Sequence, residues 1–394
     1  MTFSSFGLSA DLLRAITERH YPAPTPIQQA AIPAILEGRD VWACAPTGSG
    51  KTAAFALPLL QQTLSHERDT PLRVRTLILV PTRELAAQVG ESIRLYGRYM
   101  PRPTKTITAF GGVSINPQMM ALRGGADIVV ATPGRLLDLV DHNALRLADV
   151  TTLVLDEADR LLDLGFSDEL ARIIERLPRR RQNLLFSATF PPAVHSLSES
   201  LLQKPIRIDM PSTTETQPAI LQRAIHVDLA RRTQLLRHLV TEHGWTRVLV
   251  FVATKYSTEH VADKLRRAGI QAAAIHGNLS QGARTKALAD FKASRITVLV
   301  ATDVAARGID IAHLPAVVNY DLPRSTVDYT HRIGRTGRAG ESGVAVSFVT
   351  TSAEAHFRLI EKRHGIRLPR EIIAGYEPVE AAAVPKTSTN VWSK

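Results

Sequence analysis

The 394-residue chain has a single cysteine, Cys44. One thiol excludes an intrachain disulfide and any metal site built from clustered cysteines. Cys44 itself reads as a small buried strand residue. No apolar run approaches the ~18 residues that a membrane span requires. The opening run Met1-Thr2-Phe3-Ser4-Ser5-Phe6 has neither the basic nor the apolar segment of an export signal. A cytoplasmic protein without a membrane partner is therefore expected. Low-complexity tracts and short tandem repeats are also lacking. Acidic residues are scarce relative to basic ones: 37 Asp and Glu stand against 48 Lys and Arg, a formal net charge of +11. Such an excess favours a polyanionic partner, nucleic acid before membrane. What remains is globular in composition, 44% hydrophobic and 22% charged, and long enough for two domains.

The most informative stretch is Ala45-Pro46-Thr47-Gly48-Ser49-Gly50-Lys51-Thr52. A short apolar run, 41–44, precedes it, and an Ala- and Leu-rich helical run, 53–60, comes after it. Glycines between a strand and a helix let backbone N–H groups curl around phosphate oxygens, and the helix N-terminus adds positive potential. Lys51 can bridge the β- and γ-phosphates of a nucleotide, and the Thr52 hydroxyl can sit on Mg²⁺.

The flanking chain alternates between strand and helix. Upstream, 8–19 has helical periodicity behind a Ser9 cap candidate, and 28–36 reads as a second helix after a proline-rich turn. Downstream, the short β-branched runs 76–80, 127–131, 152–155 and 184–187 alternate with helical stretches such as 84–100. Buried parallel strands look like this. The pattern predicts a doubly wound α/β domain over 1–208. The polar, Pro-bearing stretch 209–220 reads as a linker. A second alternating series over 221–376 has strand candidates at 224–228, 247–252, 271–275, 297–301, 316–319 and 343–349. The Ala-, Thr- and Ser-rich residues 377–394 are expected to be disordered.

Asp156-Glu157-Ala158-Asp159 comes directly after the strand candidate 152–155. Acids at the C-terminal end of a parallel strand face the crevice where such sheets bind ligands. Beside a phosphate loop, Asp156 can hold Mg²⁺ with Thr52, and Glu157 can orient or deprotonate the attacking water. With these residues the chain resembles a DEAD-box ATP-dependent RNA helicase over nearly all of residues 3–350, the short loops and 112–116 resembling the bacterial RhlE-type subgroup. The resemblance implies two tandem RecA-like domains, ATP and Mg²⁺ as cofactors, and RNA held largely without regard to sequence. It implies that Thr25-Pro26-Ile27-Gln28 is an adenine-reading motif in which the Gln28 amide pairs with the base, Tyr21 stacks on it and Phe3 supports the site. His20 stands where the family usually has Gly. Asp159, Ser187 and Thr189 would couple hydrolysis to unwinding. Pro81, Thr82 and Arg83, Gly111 and Gly112, and Thr132, Pro133, Gly134 and Arg135 would hold RNA.

In the second half, His331-Arg332-Ile333-Gly334-Arg335-Thr336-Gly337-Arg338 sets three arginines among glycines, a pattern suited to clamping phosphate. The resemblance makes Arg335 and Arg338 fingers on the γ-phosphate and places His331 in a polar network. It also places Gly308 and Asp310 at the ATP ribose, and Gln281, Arg284, Thr302 and Asp303 on the RNA side. Fingers from one domain and a phosphate loop from the other would make hydrolysis conditional on domain closure. The subgroup suggests ribosomal or RNA-decay assemblies as partners. Two other readings stand beside this one: a DNA helicase or translocase of the same superfamily, and a non-catalytic RNA clamp.

Overall fold

The computed structural model describes residues 2–46, 48–64, 70–210, 220–306, 311, 314–337 and 343–379. They divide into two compact units, one on each side of residues 211–219. The linker and tail expected at 209–220 and 377–394 fall mostly outside the described residues, as do Thr47, Gly308, Asp310 and Arg338.

The first unit carries the strands β1 (Val41–Cys44), β2 (Thr76–Leu79), β3 (Thr106–Ala109), β4 (Ile128–Ala131), β5 (Thr152–Leu155), β6 (Gln182–Ser187) and β7 (Ile206–Asp209). They form one sheet in the order β3-β4-β2-β5-β6-β1-β7, and every pairing is parallel. Each crossover therefore needs a connection over a sheet face, and helices supply it. Side chains alternate between the two faces. Ile78, Val130, Val154 and Phe186 join the core cluster that contains Phe55 and Leu57. Their neighbours Leu77, Val129, Leu153 and Leu185 join the opposite cluster with Leu136 and Leu161. Each such fully buried side chain contributes roughly 1.5–3 kcal/mol of transfer free energy.

Strand register sets where the loops begin. Cys44 lies opposite Ser187, Leu155 opposite Leu79, Leu79 opposite Ala131, and Ala131 opposite Ala109. The strands β2, β3, β4 and β5 therefore stop at one level, and β1, β6 and β7 stop together two residues beyond it, since Leu155 pairs with Leu185 and Cys44 with Ser187 and Asp209. The residues that come next, Ala45, Asp156, Val80 and Thr132, are still held to neighbouring strands by backbone hydrogen bonds of 3.0 Å.

The second unit repeats the plan. Its strands are β8 (Leu221–His226), β9 (Val248–Phe251), β10 (Ala272–Ile275), β11 (Val298–Ala301), β12 (Ala316–Asn319), β13 (Val344–Val349) and β14 (Arg370–Glu371), in the order β10-β11-β9-β12-β13-β8-β14, again parallel. Phe251, Ala301, Ile275 and Asn319 end level with one another. Among the described residues no helix is long and apolar enough to cross a membrane.

Three edge strands, β3, β7 and β14, have no counterpart in the expected strand runs. Each is short, β3 and β7 half polar and β14 two charged residues, so none has the continuous apolar signature of a central strand. The helix expected over 84–100 ends at Tyr96 and continues as a single 3₁₀ turn, Gly97–Tyr99.

Gly125 packs where nothing larger fits. Its φ is +83°, and a Cβ there would overlap the backbone carbonyl of Leu72, a chain segment pinned by the Leu72 N–H to Gly124 carbonyl bond of 3.0 Å. Gly125→Ala should destabilise the first unit by about 2–4 kcal/mol. An unchanged unfolding midpoint in urea would overturn this packing account.

Candidate active site

In the first unit, β1 runs into the phosphate loop and the helix Lys51–Leu64. Gly48 and Gly50 have φ of +81° and +95°, the left-handed backbone that a non-Gly residue seldom adopts. Lys51 is buried, and its ammonium donates to the Ala45 carbonyl at 2.9 Å, so the lysine lies back across its own loop. The buried Ser49 and Thr25 hydroxyls make no hydrogen bond in the structure. Polar atoms left unsatisfied at a glycine loop and helix N-terminus fit a phosphate-bearing ligand.

The helix Pro26–Leu36 brings Gln28 onto this loop. The Gln28 side-chain amide accepts from the Thr25 N–H at 3.0 Å and donates to the Gly50 carbonyl at 3.1 Å. Gln28 thereby serves as half of a capping box and ties the helix to the phosphate loop. One amide hydrogen and one oxygen lone pair remain for a base. His20 has φ of +54°, which explains why a glycine would suit its place. Tyr21 is half-buried. Its hydroxyl pairs with that of Tyr96 at 3.1 Å, and the Arg19 guanidinium lies 5.7 Å from its ring. Phe3 is buried edge-to-face on Phe6, in the same core cluster as Ile27 and Phe55.

Asp156 and Glu157 extend from β5 on the same edge. Asp156 is buried, and burial pushes its carboxyl up to about 7; Lys51 pulls the other way, and Glu157 adds to the rise. One Asp156 oxygen accepts from the Glu157 N–H at 3.0 Å. Glu157 has a left-handed backbone, φ 51° and ψ 54°, a strain of roughly 1–3 kcal/mol. Its Oε2 is buried without a hydrogen bond, 3.6 Å from the guanidinium of Arg160, itself buried. A carboxylate held this way can accept a proton from water or orient it. Asp156 and Thr52 are the residues suited to Mg²⁺: a metal would stabilise the ionised carboxylate that burial disfavours. When bound, the ion supplies charge neutralisation at the phosphates.

Asp159 turns toward β6. Its Oδ2 accepts from both the N–H (3.0 Å) and the hydroxyl (2.7 Å) of Thr189. The Asp159 N–H donates to the Ser187 hydroxyl at 3.2 Å, and that hydroxyl donates to the Thr189 carbonyl at 2.7 Å. The three residues expected to act together are thus one hydrogen-bonded group.

Further along the edge, Thr82 caps the helix Arg83–Tyr96. The Arg83 guanidinium lies against Gly112, whose φ of +76° favours glycine there. Arg135, buried in the helix Pro133–Asp141, donates to the Val113 carbonyl at 2.8 Å. Gln118, unremarked in the sequence, holds the same loop through the backbone of Phe110 (3.1 Å). The motifs that include Arg83, Gly112 and Arg135 therefore form one patch beyond β2, β3 and β4.

In the second unit, Arg332 departs from expectation. It is only 2% exposed. Its guanidinium grips both oxygens of Asp303 at 2.6 and 2.7 Å, donates to Asn319 Oδ1 at 3.0 Å and to the Asp321 carbonyl at 2.6 Å, and lies over the Phe251 ring at 4.8 Å. Arg332 is thus an internal clasp and no phosphate clamp; of the three arginines, Arg335 and Arg338 remain as candidates. Asp303, expected on the RNA side, has its carboxylate engaged by this clasp. The structure gives a reason that motif spacing does not: Arg332 lies inside the helix Thr326–Ile333, facing the sheet. Arg335 is buried just beyond that helix, and His331 is half-buried in its last turn. Thr302 comes directly after β11, and Gln281 and Arg284 open the helix Gln281–Lys292, capped by Ser280.

The Asp156 carboxyl yields a pH prediction. Its folded value, about 7, lies above its ordinary 3.8, so its ionisation weakens the fold. The cost is absent below the ordinary value, grows as pH rises toward 7, and is full above it. Asp156→Asn should therefore raise the unfolding midpoint of the nucleotide-free chain at pH 8 more than at pH 5, and added Mg²⁺ should narrow the gap at pH 8. An equal effect at both pH values would overturn the burial argument.

The family model described as DEAD/DEAH box helicase matches residues 25–197, and the helicase conserved C-terminal domain matches 231–340. The chain is 41% identical over 390 residues to the ATP-dependent RNA helicase DeaD of Mycobacterium tuberculosis, covering 99% of this chain and 68% of that one. It is 41% identical over 385 residues to a DEAD-box ATP-dependent RNA helicase of Oryza sativa, covering 97% of this chain but about half (48%) of that protein's length. Among solved structures, S. cerevisiae Dbp5 bound to RNA and ADP BeF3 matches with a TM-score of 0.81 at 31% identity, covering 94% of this chain and 95% of that one. Mss116p bound to ssRNA and AMP-PNP matches at 0.84 and 30%, covering 96% and 79%. With both sheets, the phosphate loop and the Asp156-Glu157-Ala158-Asp159 run in place, the chain belongs to the DEAD-box ATP-dependent RNA helicases.

Proposed function

We propose that this chain is an RNA-stimulated ATPase that binds single-stranded RNA and opens or remodels short RNA duplexes. The observation that carries this reading is the single edge of the first sheet. That edge holds Lys51, Asp156 and Glu157 together with Asp159, whose carboxylate is hydrogen-bonded to the loop after β6. Movement of the acidic loop on nucleotide turnover would reach Ser187 and Thr189 without a flexible joint. Relatives bound to RNA with ADP BeF3 or AMP-PNP support the same pairing of ligands.

In this reading Ala45, Pro46, Thr47, Gly48, Ser49, Gly50 and Lys51 hold the ATP phosphates, and Gln28 reads adenine with the amide hydrogen and lone pair left to it. Tyr21 and Phe3 shape the base site. Glu157 orients the attacking water. Arg335 and Arg338 contact the γ-phosphate, and Gly308 and Asp310 the ribose. Thr82, Arg83, Gly112, Thr132, Arg135, Gln281, Arg284 and Thr302 hold the RNA backbone through N–H groups, hydroxyls and guanidinium, a mode without base readout. Asp303 acts behind this set, positioning Arg332. We place the work in the cytoplasm, in ribosome assembly or RNA turnover.

Steady-state ATP hydrolysis with no nucleic acid, with single-stranded RNA, and with DNA of the same sequence tests the reading. RNA should raise turnover strongly and DNA should not; equal stimulation by both would favour a DNA-directed translocase. Glu157→Gln should retain ATP and RNA binding while turnover falls by about 10²-fold or more. Fast turnover by that variant would remove Glu157 from the chemistry.

A further inference from the structure

Tyr256 is 77% exposed, more than any other large hydrophobic side chain among the described residues. It sits in the first turn of the helix Lys255–Arg267, behind the Thr254 cap that accepts from the Ser257 N–H at 3.0 Å. Its ring stacks on His260, one turn later, with centroids 5.7 Å apart and planes within 14°. Lys264 comes next at the same helical spacing, and all three side chains are exposed. The helix carries four lysines and arginines against two carboxylates. Both carboxylates have partners: Glu259 meets His276 at 2.9 Å, and Asp263 meets Arg267 at 2.9 Å. The exposed stripe is therefore aromatic, then imidazole, then cation.

Its position is equally specific. Lys255 donates to Asn278 Oδ1 at 2.7 Å, and its side chain lies 3.9 Å from where a Cβ would stand on Gly277. The start of the helix thus abuts the loop after β10 that leads to Gln281 and Arg284, at the same end of the sheet as Thr302. A lone exposed tyrosine swings freely. One stacked on a neighbouring ring offers a flat face already restricted in rotation, so less ordering entropy is lost when a second ring adds to it.

We propose that Tyr256, backed by His260, stacks on an unpaired base of the RNA beside the nucleotides whose backbone the second unit holds. The inference rests on the proposed RNA-binding function. The occupant is set by charge and shape: a π-face bordered by cations suits a base on an anionic strand, and stacking tolerates any base. Stacking on an exposed platform adds affinity without adding sequence preference. A base parted from its neighbours would also have a surface to rest on.

Binding to the full chain, with a non-hydrolysable ATP analogue, should be compared for a single-stranded RNA and the same strand carrying consecutive abasic sites. The wild type should prefer the base-bearing strand by about tenfold. Tyr256→Ala should lose most of that preference, and Tyr256→Trp should keep it. A Tyr256→Ala chain with the full wild-type preference, or a wild type with none, would overturn the platform. Absence of RNA-stimulated hydrolysis in the wild type would instead overturn the reading on which it rests.

Discussion

Parallel strands held in a fixed register, so that their ends fall within two residues of one another, are the constraint on which the site depends. Because Leu155, Leu79 and Ala131 end level with one another, and Cys44 ends level with Ser187 two residues further on, the loops beyond them begin close together without any one of them being designed toward another. A phosphate loop, an acidic turn and the patch of Arg83, Gly112 and Arg135 become neighbours through backbone hydrogen bonding alone. A one-residue slip in any strand would reverse which side chains face the helices and would misplace the loop beyond it. The two core clusters, one on each sheet face, are what forbid that slip.

On this edge the polar groups work in sets. Asp159, Ser187 and Thr189 satisfy one another. Arg83, Gly112 and Arg135 pack into one patch around the loop that Gln118 braces. In the second unit, Arg332 joins Asp303 after β11, Asn319 and the Asp321 carbonyl at the end of β12, and the Phe251 ring at the end of β9, gathering three strand ends under one guanidinium. A buried charge with four such bonds and an aromatic ring beneath it is strongly determined in position. The residues on either side of it, Thr302 and Arg335 among them, inherit that rigidity.

Much of this was legible in the sequence, for physical reasons that can be named. The central strands are continuous apolar runs such as Val41-Trp42-Ala43 and Thr152-Leu153-Val154-Leu155, and the phosphate loop needs its glycines in order. Of the edge strands, β10 was legible as an apolar run but β3 and β7 were not: Thr106-Ile107-Thr108-Ala109 and Ile206-Arg207-Ile208-Asp209 mix polar and apolar residues, and one side of each lacks a neighbour. Nor could spacing separate Arg332 from Arg335. Both stand in one glycine-punctuated basic run, and only the phase of the helix Thr326–Ile333 turns the first toward Asp303. Gln28 shows the same limit. Its motif suggests a base reader, yet the amide is already bonded to two backbone groups, one of them in the phosphate loop.

The hydrogen bond from Lys51 to the Ala45 carbonyl has a thermodynamic consequence. The ammonium does not wait unsolvated for a ligand; the loop's own oxygen acts as a placeholder. Phosphate arrival is then an exchange of one acceptor for another, and phosphate departure is met by the carbonyl's return. The free-energy difference between the occupied and empty loop is thereby kept small compared with the strength of either bond. For a protein that must let go of its nucleotide on every cycle, a moderate grip of this kind favours release.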